Sequence, residues 1–148
     1  MMRVSLRGNH RGRSRGASLI EAAFAVPIFL MLVVGVIDFA RGSMLRHLAT
    51  NAAREGARLA VTPTAQMTTS QVTTLVQNRL GGQLDNPTIL VYRTDRDGNN
   101  LGDWKTAKSG DRIAVEITAS YQPFLSSFRL MPDSVEVRAK SMMTSEAE

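Results

Sequence analysis

The residue that most demands a chemical partner is Glu21, the only charge within Ala17 to Ile37, ASLIEAAFAVPIFLMLVVGVI. A carboxylate four residues into an apolar helix is costly unless a cation meets it. The other polar candidates are weaker. The chain has no cysteine, which excludes disulfides, thiolate metal sites and cysteine nucleophiles. His10 and His47 lie too far apart for a metal cluster or a Ser-His-Asp arrangement, and His47 reads as a solvated histidine on an exposed helix. Asp38, at the outer edge of the apolar run, reads as a contact of Arg41 or of interfacial water rather than as a proton relay. Asp95-Arg96-Asp97-Gly98-Asn99 is spaced partly like a calcium loop. Its glycine comes two positions too early and no terminal Glu follows, so a hairpin turn is the better reading and calcium stays the alternative. Trp104 reads as core packing before a partner contact. No catalytic set emerges, so neither an enzyme, a cofactor nor a metal is expected.

Charge decides the setting of Glu21. Arg3, Arg7, Arg11, Arg13 and Arg15 fall within the first sixteen residues, which hold no acid. With 18 Lys+Arg against 13 Asp+Glu, these arginines account for the whole net charge of +5. The rest of the chain is balanced, so no basic face for nucleic acid is expected. Residues 1–16 lack apolar periodicity and would be disordered alone. The next twenty-one residues, as a helix, span about 31 Å, close to the hydrocarbon thickness of a bilayer. Pro27 is tolerated in such a helix, with a kink expected near Ala23 to Pro27. The arginine-rich flank predicts a cytoplasmic N-terminus and a C-terminal part beyond the membrane, although Arg41 and Arg46 follow the span. A cleaved signal peptide fits poorly, because the run is too long and VVGVIDFARG lacks a convincing A-x-A site. A plain uncleaved anchor remains a second option.

Helical character continues from Asp38 to about Thr62, with Pro63 just beyond, giving one helix of about 65 Å. Ala49, Ala52, Ala53, Gly56, Ala57 and Ala60 form a small-residue seam that lets a neighbouring helix approach closely. Glu55 is placed to pair with Arg58. Thr64 to Ser70 reads as a linker ending in a helix cap. Val72, Leu75, Val76 and Leu80 mark a short amphipathic helix closed by Gly81-Gly82. Strands are expected at Thr88 to Arg93, at Arg112 to Tyr121 and around Val135 to Ala139, with turns at Asp95 to Asn100 and Ser109 to Asp111. The expected fold class is α+β: a basic leader (1–16), a transmembrane and extended helix (17–62), and a small domain (63–148) with one helix on about three antiparallel strands. That core is thin, which leaves room for the long helix to cover it.

Arg15-Gly16 followed by Ala17-Ser18-Leu19-Ile20-Glu21, with Pro27 in the span, resembles the TadE-like pseudopilins of the tight-adherence (Flp) pilus system, in the type IV pilin-like class. Gly35-Val36-Ile37-Asp38-Phe39-Ala40-Arg41 and Ala52-Ala53-Arg54-Glu55-Gly56-Ala57-Arg58 are similar to the same family. The resemblance is close over about residues 15 to 60. It implies cleavage after Gly16 by a membrane-embedded prepilin peptidase, which leaves Ala17 as N-terminus and Glu21 as fifth residue. The new α-ammonium would then pair with Glu21 of the same or an adjacent subunit and fix register. Implied partners are the inner membrane, crossed once, other pilin and pseudopilin subunits, and the pilus assembly platform. The implied role is a minor subunit that helps initiate, assemble or anchor a pilus used in adherence, with its domain on the periplasmic side. Ala22 stands where Flp major pilins usually carry Tyr, and those are far shorter, which disfavours a major fibre subunit. TadF-like and TadG-like relatives stay open. The alternative is a signal-anchored periplasmic protein that binds a cell-envelope component, with a membrane enzyme third.

Overall fold

The structure is a computed structural model and describes residues 13–61 and 67–145, with side chains from residue 16. Most of the basic leader, Pro63 and the first part of the following linker lie outside the described residues. The chain divides into two compact units, Met1–Ile37 and Asp38–Glu148.

Helix α1 covers Arg13–Val61. It begins four residues before Ala17, inside the stretch expected to be disordered alone, and stays helical through Pro27. In the first unit its large side chains are solvent-facing: Leu19 and Phe24 are each 71% exposed and Phe29 is 63% exposed. Its most apolar stretch has a mean hydropathy of 2.5, and the helix is long enough to cross a bilayer once. So much exposed hydrocarbon is unfavourable in water and suits lipid. By length and composition this part of α1 suits a single-pass membrane anchor.

The second unit starts with the remainder of α1. Helix α2 (Thr69–Leu80) follows, opened by Thr68 rather than Ser70. Thr68 and Gln71 form a reciprocal capping box that satisfies two otherwise orphaned donors. Gly81 ends the helix in the left-handed conformation that a side chain would resist. Strands β1 (Asp85–Thr94), β2 (Arg112–Tyr121) and β3 (Val135–Thr144) pair antiparallel in the order β1-β2-β3. Val91 faces Val115 and Ile117 faces Ala139 across the ladders. β1 starts three residues earlier than expected, and its pairing is irregular between Asp85 and Thr88, where Asn86 takes φ 47° ahead of Pro87. Asn tolerates that conformation and Pro cannot donate to the ladder, so the bend sits where the sequence allows it.

The strict alternation of β2 puts Ile113, Val115, Ile117, Ala119 and Tyr121 inside. They meet a helix face made of small residues. Leu45, Ala49, Ala52, Ala53 and Ala57 of α1 pack with Val76 and Leu80 of α2, Val115 and Ile117 of β2, and Val137 of β3. Each fully buried Val, Leu or Ile contributes roughly 1.5–3 kcal/mol of transfer free energy. Alanines on the helix let the branched strand side chains reach the backbone. Ala60, Val72, Trp104 and Ile113 form a second cluster. Trp104 is buried as expected, and its indole N–H donates to Thr69 Oγ1 at 3.0 Å.

Candidate functional site

Two parts of the molecule carry the expected functional residues, and a third, at Asp38, was not expected to be one. The first is the start of α1. Gly16, Ala17 and Glu21 all lie in helix and are exposed. A Cβ added at Gly16 would meet nothing within 4 Å. Packing in the chain therefore does not call for glycine there.

The second is the small-residue seam. Ala49, Ala53 and Ala57 have no exposed surface, Ala60 is nearly buried, and Gly56 is buried among them. Here glycine is required. A Cβ at Gly56 would stand 2.7 Å from Val76 Cγ2 and 3.4 Å from Val115 Cγ1. The helix that approaches this seam is the chain's own α2, with β2 beside it. Glu55, expected opposite Arg58, meets Arg79 of α2 at 2.6 Å. That pair helps hold the two helices together, but its exposed arginine limits the gain.

The third is Asp38, which the sequence reading assigned to Arg41 or interfacial water. It is 3% exposed, and both carboxylate oxygens accept backbone N–H groups. Oδ1 takes Phe124 N at 2.9 Å and Oδ2 takes Leu125 N at 2.8 Å. The partners are 86 and 87 residues away in the chain, so no local pattern could have revealed them. Asp38 thereby fixes a 3-10 turn, Phe124–Phe128, that follows β2. Gly42 sits one turn further along α1, where a Cβ would collide with the Tyr121 hydroxyl.

Other polar groups serve the domain. Asp95 Oδ1 accepts from the backbone of Asp97 at 2.9 Å and of Asn99 at 2.8 Å, and Oδ2 accepts from Asn99 Nδ2 at 2.8 Å. These donors, led by the Asn99 side chain, hold the Asp95 carboxyl below its usual range. The loop is a self-satisfied turn, with Leu101 N donating back to Arg93 O. Among the described residues no group of three or more His, Asp or Glu is placed to hold a metal. His47 is exposed, as expected. Tyr92 donates to Glu116 Oε2 at 2.6 Å, with the Lys140 ammonium 5.2 Å from its ring centre. Burial first, and then the Glu116 bond, raise the Tyr92 phenol above its ordinary value. This cross-strand set was not foreseen; the two pairing registers that bring it together appear only once the strands are aligned.

Residues 16–58 match the family model described as TadE-like protein. The match begins at Gly16, includes Glu21 and Asp38, and ends inside α1, before α2 and the sheet. Comparison with curated proteins and with solved structures yields no match. Over this stretch of α1, 43 of its 148 residues, the chain is similar to TadE-like proteins.

Proposed function

We propose that this chain is a minor pilin-like subunit that helps initiate, assemble or anchor a Tad pilus, without catalytic activity of its own. The observation that carries the reading is a glycine the fold does not use. Gly16 is free of any neighbour that would exclude a side chain, yet it lies five residues before the one carboxylate of the apolar run. Glycine at that point suits a prepilin peptidase, which needs an extended, side-chain-free backbone at the cut. Because Gly16 lies in the first turn of α1, the peptidase must unwind that turn. Glycine lowers the cost, being about 1 kcal/mol poorer than alanine in a helix. Cleavage frees the α-ammonium of Ala17, and Glu21 of a neighbouring subunit neutralises it in the apolar layer. The five leader arginines keep the N-terminus in the cytoplasm, so the sheet domain lies outside the inner membrane.

N-terminal sequencing of protein extracted from peptidase-competent membranes should read ASLIE. An intact leader, or a start beyond Ile37, rejects the processing reading and favours a plain or cleaved signal anchor. With processing confirmed, Glu21→Ala should leave the protein inserted while reducing piliation, and Glu21→Gln should fall between alanine and wild type. Normal piliation with Glu21→Gln would rule out charge pairing.

A further inference from the structure

The loop that follows β2 is ordered, yet it turns large apolar side chains outward. Phe124 is 61% exposed, Phe128 65%, Leu130 54% and Met131 40%. Among the described residues beyond α1, only Leu90, Leu101 and Met142 are other large apolar side chains exposed in this way, and they are scattered. The loop is nevertheless well made. Pro123 and Ser126 are buried beneath it, and Ser126 Oγ donates to Pro123 O at 2.7 Å. Arg129 closes the turn at φ 57°, with its N–H on Ser126 O at 2.9 Å. These bonds brace the turn with its large apolar side chains outward.

What they meet follows from the brace. The loop hangs by two hydrogen bonds from Asp38, and Asp38 is the residue directly after Ile37, the last of the apolar run. Wherever the bilayer boundary holds Asp38, it holds the amides of Phe124 and Leu125, the start of the loop, close to the same level. Phe39, the next residue, is 80% exposed. Arg129 sits between Phe128 and Leu130, where its stem can lie along hydrocarbon while the guanidinium meets phosphate headgroups. The opposite end of the sheet has the reverse chemistry: the Asp95 to Asn100 turn is polar and about 30 Å away along ten strand residues.

We propose that the segment Phe124 to Met131 is a second membrane contact, an apolar loop that inserts shallowly into the lipid interface. It restrains the domain against the membrane surface by two points instead of one. The proposal rests on the anchor reading of α1, and the experiment separates the two.

The chain has no cysteine, so single labels can be placed without background. The full chain carrying Phe128→Cys, or in a second preparation Leu130→Cys, is nitroxide-labelled and reconstituted in phosphatidylethanolamine–phosphatidylglycerol vesicles. Collision with apolar oxygen and with a water-soluble nickel chelate is then compared. Phe29→Cys reports the span and Leu101→Cys the far end of the sheet. The expected result is an oxygen-to-nickel ratio at Phe128 and Leu130 severalfold above that at Leu101 and approaching that at Phe29. Ratios like that of Leu101, with Phe29 still lipid-like, overturn the loop proposal and leave the anchor intact. Shielding from both reagents also overturns it, because a protein surface then covers the loop. A nickel-accessible Phe29 defeats the anchor reading, and this proposal with it.

Discussion

The two halves of α1 share one backbone and solve opposite problems. Up to Ile37 the helix turns Leu19, Phe24 and Phe29 outward, and an apolar surrounding suits them. From Asp38 onward its inward face is Ala49, Ala53 and Ala57, each fully covered by the sheet and α2. Large side chains maximise contact with a solvent of hydrocarbon. Small ones maximise how near a folded layer can come, and so recover contact through backbone proximity. The two requirements meet at Ile37–Asp38, where the apolar run gives way to a buried carboxylate. The glycines express the same contrast: Gly16 has open space around it, and Gly56 has none.

The largest effect should come from filling the crowded glycine. Gly56→Val places its Cβ 2.7 Å from Val76 Cγ2, and its methyl groups reach further into the core. Overpacking of this kind costs about 3 kcal/mol, a large share of the 5–15 kcal/mol that holds a typical domain. Urea unfolding of the full chain in detergent micelles should show that loss, while membrane extraction of the variant stays unchanged. Wild-type stability would mean that the sheet does not pack on this face of α1.

Next comes the junction. Asp38→Ala removes the acceptor of two backbone N–H groups and should cost about 2 kcal/mol. Asp38→Asn keeps one acceptor oxygen and should lose less. Hydrogen exchange checks the mechanism: the amides of Phe124 and Leu125 should exchange faster in Asp38→Ala than those of β2. Equal protection in wild type and variant would show that the loop is held by something other than Asp38.

These contrasts also explain what could be read from the sequence. The apolar span was legible because hydrophobic length is a local property. β2 was legible because Ile113, Val115, Ile117, Ala119 and Tyr121 alternate with polar residues, buried Ala114 being the one exception. The seam of Ala49, Ala53, Gly56 and Ala57 announced a close neighbour but not which one, since smallness specifies proximity and not identity. The partners of Asp38 and Tyr92, and the Arg79 partner of Glu55, were passed over because they lie 24 to 87 residues away. Pairings at that separation are set by tertiary register, and nothing in the flanking residues encodes them. The helix start was misplaced for another reason: Arg13 to Arg15 are acceptable helix formers that extend a helix already nucleated by the apolar run.

The smallest effect on the fold should come from the open glycine, and that is its value. Gly16→Arg adds a long side chain where a Cβ has nothing within 4 Å, and arginine is a better helix former than glycine. Domain stability in micelles should stay within about 0.5 kcal/mol of wild type, as for most surface substitutions. Under the proposed processing, the same variant should retain its leader completely, visible as a heavier band that still extracts with membranes. The pair of readouts is what discriminates. A destabilised domain would mean that the start of α1 has contacts which the open space around Gly16 does not suggest. A stable domain with normal cleavage would remove the reason for glycine at this position and, with it, the observation on which the subunit reading rests.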